Sequence, residues 1–324
     1  MTNHSSPTFF SFPADAFAGA SEQSAVVAGL MAEPPRVSPK YLYGPLGSRL
    51  FDAITELPEY YPTRTEKAVL EACRDSIAGA AGPEPTLIDL GAGNCEKARS
   101  LFQSLKPRLY VAVDMSVDFL RQSMSHLQRD FPEMEMLGIG IDFSSGLRLP
   151  DAVCQENRLF FYPGSSIGNF TPEEALAFLA GLRAQCVGTH GGGLLIGVDL
   201  IKEESILQAA YDDALGVTAA FNLNLLNNLN GLIGSDFAVG DWRHCALFNT
   251  ALSRIEMHLE ARRGVTVTWP GGARRFVQGE RIHTENSYKY ALEDFKALLR
   301  RAGFGRAQTW TDVNDWFALC HAIA

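Results

Sequence analysis

Four stretches of the chain end in residues able to bind a charged small molecule. TLIDLGAGNCEKARSLF (86–102) is an apolar run closed by Asp89 and followed by the glycine pair Gly91 and Gly93. Glycine lets backbone approach a ligand closely. RLYVAVDMS (108–116) carries Asp114, about 20 residues beyond the glycine turn, where an acid takes the hydroxyl pair of a ribose. EMLGIGIDF (135–143) ends in Asp142 and Phe143, a carboxylate for an exocyclic amine and a ring for an adenine face. NRLFFYPGSSIGNF (157–170) ends in a turn containing Gly164 and Asn169. Lys97, one turn past the glycine pair, can reach a ligand carboxylate. Taken singly, each has a plainer use. Asp114 can cap the next helix, Asp142 before Ser144 and Ser145 can form an Asx-turn, and Lys97 can lie on a solvated helix face.

These residues need elements that bring them together. Continuous apolar runs at 86–91, 108–116, 135–143, 157–170 and 191–200 read as buried strands. Helical patterns at 96–105, 117–131 and 171–186 alternate with them, the last opened by Thr171 as N-cap and Pro172 in the first turn. That rhythm predicts an α/β fold with a parallel sheet covered on both faces. In such sheets ligands sit at the carboxyl ends of the strands, where the strand order switches. Ahead of the sheet, helices are predicted over 18–33, 46–56 and 64–79, with Pro34 and Pro58 as stops. Segment 201–285 breaks the rhythm. A helix near 203–214, an asparagine-rich helix over 221–232 and β-like runs at 245–269 and 274–282 suggest an insertion with its own sheet. A helix over 290–304 and two closing strands, AQTWTD and DWFALCHAI, then complete seven strands.

The ligand follows from the glycine turn. A dinucleotide fingerprint requires G-x-G-x-x-G. Here the match is GAGNCE, with Glu96 in the third glycine's place, and a negative charge there repels a pyrophosphate. D-L-G-x-G with two later strand-end acids fits S-adenosylmethionine better, although a dehydrogenase or another α/β protein stays open on this pattern alone.

Composition narrows the partners. The 324 residues are 46% hydrophobic and 20% charged with a net charge of −9, a balance that disfavours nucleic acid and anionic membrane surfaces. No apolar run reaches the roughly 18 residues of a membrane span, and the first residues lack the basic start of a signal peptide. Six cysteines without a CxxC pair read as reduced, mostly buried thiols of a cytoplasmic protein. Cys95, in the glycine turn, reads as a neutral neighbour. Seven histidines without HExxH-like spacing argue for no metal. With no long heptad, a monomer is the default.

LPEYYPTRTE (57–66), LGAGNCEK (90–97), GSSIGNFTPEE (164–174), AAYDDALGVTAAFNLNLL (209–226), RIEMHL (254–259) and HTENSYKY (283–290) together resemble the histidine-specific N-alpha-methyltransferases of ergothioneine biosynthesis. The resemblance runs in order from about Tyr41 to the C-terminus. It implies a class I methyltransferase domain, a Rossmann-like seven-stranded sheet over 64–200 completed by 286–324. It also implies a second, α+β substrate-binding domain built from 1–63 and 201–285. The implied cofactor is S-adenosylmethionine. The implied reaction is three methyl transfers to the α-amine of L-histidine, giving hercynine.

Carried over one residue at a time, the resemblance assigns Tyr60, Asn169 and Tyr211 to the histidine backbone groups and Tyr43 to the neighbourhood of the amine. Phe51 and Gly164 would line the methyl-transfer pocket, Glu285 and Ser287 would pair with the imidazole, and Met257 would pack against the ring. Gly91, Gly93, Lys97, Asp114, Asp142 and Phe143 would hold the cofactor. The chemistry suits these types. A carboxylate and a hydroxyl two residues apart on one strand face can meet both imidazole nitrogens. Tyrosines suit a quaternary ammonium product. The amine must lose a proton, to solvent and through Tyr43. Without the resemblance, Tyr60, Tyr61 and Met257 also read as core residues, Glu285 as a solvated strand position, and Asn222, Asn224, Asn227 and Asn228 as helix-surface or capping residues. Segment NNLNGLIGSDF (227–237) departs from the family, with glycine and leucine where an arginine–glutamate stretch is expected. A methyltransferase for another aromatic or modified amino acid, and a sensor that binds without turnover, are the competing readings.

Overall fold

A chain whose apolar runs are five to seven residues long and flanked by helical patterns is built to lay strands side by side. The computed structural model describes residues 7–11, 22–143, 146–186 and 192–324. Contacts divide the chain into two units. The first comprises Met1–Ala16, Thr65–Leu200 and Tyr290–Ala324, the second Phe17–Arg64 and Ile201–Lys289.

In chain order the strands are β1 (Thr8–Ser11), β2 (Thr86–Leu90), β3 (Leu109–Asp114), β4 (Glu135–Gly140), β5 (Arg158–Tyr162) and β6 (Gly193–Asp199) in the first unit. The second unit contributes β7 (Trp242–Asn249), β8 (Arg254–Ala261), β9 (Val265–Trp269), β10 (Gly272–Phe276) and β11 (Arg281–Tyr288). The first unit resumes with β12 (Ala307–Thr311) and β13 (Phe317–Ile323).

The first unit is one sheet in the order β1-β4-β3-β2-β5-β6-β13-β12. It is parallel from β1 to β6, and β13 runs antiparallel to both its neighbours. The chain passes from β2 outward through β3 to β4, then returns to the other side of β2 as β5. That reversal is the switch point, and it puts the ends of β2 and β5 next to each other. All residues of β2, β5 and β6 are buried, as sheets covered on both faces require.

The arrangement is the Rossmann-like one that the resemblance implied, but with eight strands where seven were expected. The extra strand, β1, pairs in parallel with β4 at the edge. The ring of Phe9 fills the notch left by Gly138, lying 2.3 Å from where a Cβ there would stand. The Arg121 guanidinium sits 4.3 Å over the same ring. Four residues carry too little periodicity to announce a strand, and the pairing partner lies more than 120 residues away.

Helix bounds shift for local reasons. The fourth predicted strand stops at Tyr162, because Gly164 and Ser165 adopt positive φ and a 3-10 turn follows over Ser166–Asn169. The helix predicted over 96–105 is two short ones, Glu96–Arg99 and Phe102–Leu105. Thr171 caps the helix Pro172–Gln185 with a complete capping box, its hydroxyl accepting from Glu174 N while the Glu174 carboxylate accepts from Thr171 N. The first predicted helix is described from Glu22 and ends at Leu30, with Met31, Ala32 and Glu33 in a turn rather than in the helix.

In the second unit, β11-β8-β7 form an antiparallel sheet and β9-β10 a separate hairpin. The asparagine-rich helix is Val217–Ile233, longer than predicted, because the Asp213 carboxylate accepts from Val217 N at 2.9 Å and Thr218 N at 2.8 Å and so fixes its start. It packs against the helix Pro45–Thr55 and against β7.

Candidate active site

In the first unit the chemistry gathers at the ends of β2, β3 and β5. Gly91 and Gly93 take φ of +73° and +52°, a region that costs other residues about 1–2 kcal/mol. A Cβ on Gly91 would meet only the Phe143 ring, at 3.9 Å, and one on Gly93 only Gly91 O, at 3.9 Å. The turn therefore presents bare backbone. Gly91 N and Ala92 N both donate to Val113 O, and Gly93 N donates to Asp114 Oδ2 at 3.0 Å. Ser116 N donates to Asp114 Oδ1 at 2.8 Å. Asp114 thus spends one lone pair per oxygen on aiming itself and keeps others able to accept further hydrogen bonds. Phe143 meets Tyr162 edge-on at 5.9 Å and Phe178 at 6.1 Å. Asp142 precedes it, half-buried. The Asx-turn alternative for Asp142 involves Ser144 and Ser145, which lie outside the described residues.

Lys97 and Gly164 meet through a residue that sequence reasoning missed. Glu66 is fully buried. Its Oε2 lies 2.6 Å from Lys97 Nζ, and its Oε1 accepts from Gly164 N at 2.7 Å. A Cβ on Gly164, at φ +78°, would stand 3.0 Å from Lys97 Nζ. Glycine there is what lets the lysine lie against the backbone. Asn169 closes the same loop, half-buried at the end of Ser166–Asn169. Glu66 is the last residue of the quoted LPEYYPTRTE, the one signal that pointed to it.

Beneath the glycine turn, Tyr110 OH donates to Asp89 Oδ2 at 2.8 Å. Burial pushes the Asp89 carboxyl up to about 7. Burial, with the Asp89 charge beside it, pushes the Cys95 thiol up to about 12, so that cysteine is inert.

In the second unit four of the singled-out aromatics form a chain of edge contacts. Tyr43 meets Phe51 at 5.6 Å, Phe51 meets Tyr60 at 6.1 Å, and Tyr60 meets Tyr211 at 6.1 Å. Phe221, unassigned from sequence, touches Tyr43 at 5.4 Å and Phe51 at 6.0 Å. Glu285 and Ser287 lie on one face of β11 and pair across the ladder with Met257 and Ile255 of β8. All four are buried, so Glu285 is not a solvated position. A register shift between His283 and Glu285 brings the pair onto that face. Tyr211 OH donates to Ser287 Oγ at 2.7 Å. Lys289, two residues further along the HTENSYKY motif and also unassigned, donates to Ser287 Oγ at 2.8 Å and to Tyr211 OH at 3.1 Å.

Support comes from behind. His244 Nε2 meets Tyr211 O at 2.8 Å, and Asn222 Nδ2 meets His244 Nδ1 at 2.9 Å. An Asn222 that donates leaves Nδ1 as acceptor and Nε2 as donor, a neutral ring. Burial holds the His244 pKa below its ordinary value. Asn222 and Asn224 are buried rather than on the helix surface, and Asn228 donates to Tyr41 O at 2.7 Å. In the atypical 227–237 segment, Asn230 Oδ1 accepts from Ser235 Oγ and Phe237 N, a closed turn that needs no charged pair.

The residues named for the amino acid therefore fall in two groups. Tyr43, Phe51, Tyr60, Tyr211, Met257, Glu285 and Ser287 belong to the second unit, whereas Gly164 and Asn169 join Lys97 and Glu66 in the first.

Similarity to known proteins accords with this chemistry. A family model described as "Histidine-specific methyltransferase, SAM-dependent" matches residues 22–324. The chain is 38% identical to the histidine N-alpha-methyltransferase of Mycolicibacterium smegmatis, covering 92% of this chain and 93% of that one. It is also 38% identical to the protein of that name from Mycobacterium tuberculosis, covering 91% and 92%. Among solved structures, the CcbJ methyltransferase of Streptomyces caelestis aligns over 84% of this chain and 95% of its own, with a TM-score of 0.47 and 14% identity.

Proposed function

We propose that this chain, which belongs to the histidine-specific, S-adenosylmethionine-dependent methyltransferase family, transfers three methyl groups to the α-amine of L-histidine and releases hercynine, the first step of ergothioneine biosynthesis. The observation that carries the choice of substrate is the buried Glu285–Ser287 pair, with Met257 across the ladder. A pocket offering a carboxylate and a hydroxyl side by side favours a ligand ring whose two nitrogens can pair with both.

The first unit's residues fit the cofactor. The bare backbone at Gly91 and Gly93, the aimed carboxylate of Asp114 and the ring of Phe143 suit a ribose and an adenine, with Asp142 for the exocyclic amine. Lys97 suits a carboxylate. S-adenosylmethionine, when bound, supplies a methyl group on a sulfonium centre. The protein's own part is alignment: it holds an amine lone pair in line and keeps water out. Tyr60 and Tyr211 hold the amino acid's backbone groups, and Met257 packs against its ring. Gly164 and Asn169 keep the roles the resemblance implies for them. The Tyr43 hydroxyl accepts the amine proton and passes it to solvent. The ring faces of Tyr43, Phe51 and Tyr60, joined by Phe221, stabilise the quaternary ammonium. No metal takes part in this reading. The enzyme works as a cytoplasmic monomer on a free amino acid, and six free cysteines support a reducing compartment. Among the described residues no helix is long and apolar enough to cross a membrane.

The test is direct. Purified protein, S-adenosylmethionine and L-histidine should give a product heavier by three methyl groups, with fragmentation placing all of them on the α-nitrogen. Methylation of a ring nitrogen, or cofactor binding without turnover, contradicts the reading.

A further inference from the structure

Ser287 is held by two donors at once. Its Oγ accepts from Tyr211 OH at 2.7 Å and from Lys289 Nζ at 2.8 Å. A serine hydroxyl has two lone pairs and one hydrogen. With both lone pairs filled, Oγ has only its hydrogen left to offer. Lysine is a donor that cannot accept, so this half of the arrangement cannot be inverted. Lys289 is itself 3% exposed, and its ammonium also lies 4.8 Å over the Tyr211 ring.

We propose that Lys289 is the residue that sets which form of the imidazole the pocket reads: by filling the lone pairs of Ser287 Oγ together with Tyr211, it makes Ser287 an obligate donor, so the pocket takes the neutral ring and rejects the imidazolium. The inference rests on the histidine reading given above. Glu285 accepts from the one ring N–H, and Ser287 donates to the other, unprotonated nitrogen. An imidazolium carries N–H on both nitrogens and would direct one of them at an oxygen with no lone pair to give. A ring with a donor but no acceptor, such as an indole, would leave the Ser287 hydrogen unpaired. The other titratable groups on this side are few. Glu285 is on the same strand, His244 on β7 supports Tyr211 from behind, and Tyr60 touches the Tyr211 ring. The register partners on β8, Ile255 and Met257, are uncharged, while Arg254, Glu256 and His258 alternate onto the opposite face.

The experiment compares two substrates on one enzyme. Histidine changes ring charge between about pH 5 and pH 8. 3-(1,2,4-Triazol-3-yl)alanine keeps a neutral ring over that range and still has a donor and an acceptor. The ratio of their kcat/KM values cancels titration of the enzyme and of the α-amine. In the wild type this ratio should fall about tenfold per pH unit below the imidazole pKa of about 6.5. In Lys289→Met, which keeps the stem and loses the donors, Ser287 can turn and accept, and the ratio should change by less than about twofold per unit over the same range. Tyr211→Phe frees one lone pair and should reduce the slope, which keeps the test available if Lys289→Met does not fold. A wild-type slope retained in Lys289→Met, or in Tyr211→Phe where that is the variant that folds, overturns the proposal, as does a wild-type ratio flat with pH. If the wild type methylates neither substrate at any pH, the histidine reading itself has failed and this inference with it. A flat ratio with good turnover of both substrates overturns the inference alone.

Discussion

Glu285 and Asp114 are the side chains whose removal should be most selective. Glu285→Ala deletes a hydrogen bond to a charged group, a contribution of about 1.5–3 kcal/mol, so kcat/KM for histidine should fall roughly 10- to 150-fold while the KM for S-adenosylmethionine stays within about twofold. Asp114→Ala should do the reverse, raising the cofactor KM and sparing that for histidine. Steady-state kinetics with each substrate varied in turn checks both. Glu66→Gln should lower stability by about 1–3 kcal/mol in a denaturant titration, because the Lys97 ammonium loses its carboxylate partner. The first two residues were legible in sequence for different reasons. Asp114 ends an apolar run at a set distance from the glycine turn, and Glu285 stands in a motif carried by resemblance. Glu66 and Lys289 were not assigned. Glu66 lies within a helical pattern, where a carboxylate reads as solvated, and its partner Gly164 is 98 residues away. Lys289 looks like an ordinary charge at a strand end until Tyr211 is placed beside it.

Helix starts are where sequence spoke most clearly among the elements. The Thr171 cap and its Glu174 partner form the box that the residue types imply. Thr171→Ala should therefore lower stability by about 1 kcal/mol with KM values unchanged, as thermal unfolding and kinetics together would show. Asp213 performs the same task for the helix Val217–Ile233 and adds a pH signature. Burial acts to raise its pKa, but hydrogen bonds from Thr218 and Val217 outweigh it and hold the carboxyl below its ordinary value of 3.8. A depressed folded-state pKa contributes stability above the ordinary value and loses it as pH falls through the folded one. Asp213→Asn should thus be less stable than wild type at neutral pH, and the gap should close on acidification below the ordinary carboxylate range. Unfolding curves that stay equally separated at acid pH contradict this. The edge strand β1 and the buried asparagines were illegible for one shared reason. A four-residue strand with two phenylalanines, or an amide on a helix, acquires meaning only from distant partners such as Gly138 for Phe9 and His244 for Asn222.

At the scale of the whole molecule, a change of rhythm in the sequence marked where the chain leaves one kind of architecture for another. Strand and helix alternate up to residue 200 and resume near 290, and the contacts of the structure divide the chain after Leu200 and Lys289, but they group Met1–Ala16 with the first unit, whereas all of 1–63 was expected in the second. Parallel strands buried on both faces must be nearly all apolar, which makes them easy to read. In the second unit β9 alternates plainly, with Val265, Val267 and Trp269 buried between exposed threonines, whereas β8 and β11 are buried on both faces, polar residues included. Their polar positions read as solvent-facing until the sheet is built, which is why Glu285, Ser287 and Lys289 needed either the resemblance or the structure. The central claim concerns which amino acid this pocket takes. The measurement that tests it is mass spectrometry of a reaction of the purified protein with S-adenosylmethionine and an equimolar mixture of the common amino acids. Histidine alone should gain methyl groups, and it should gain three. Methylation of another amino acid with histidine untouched would contradict it.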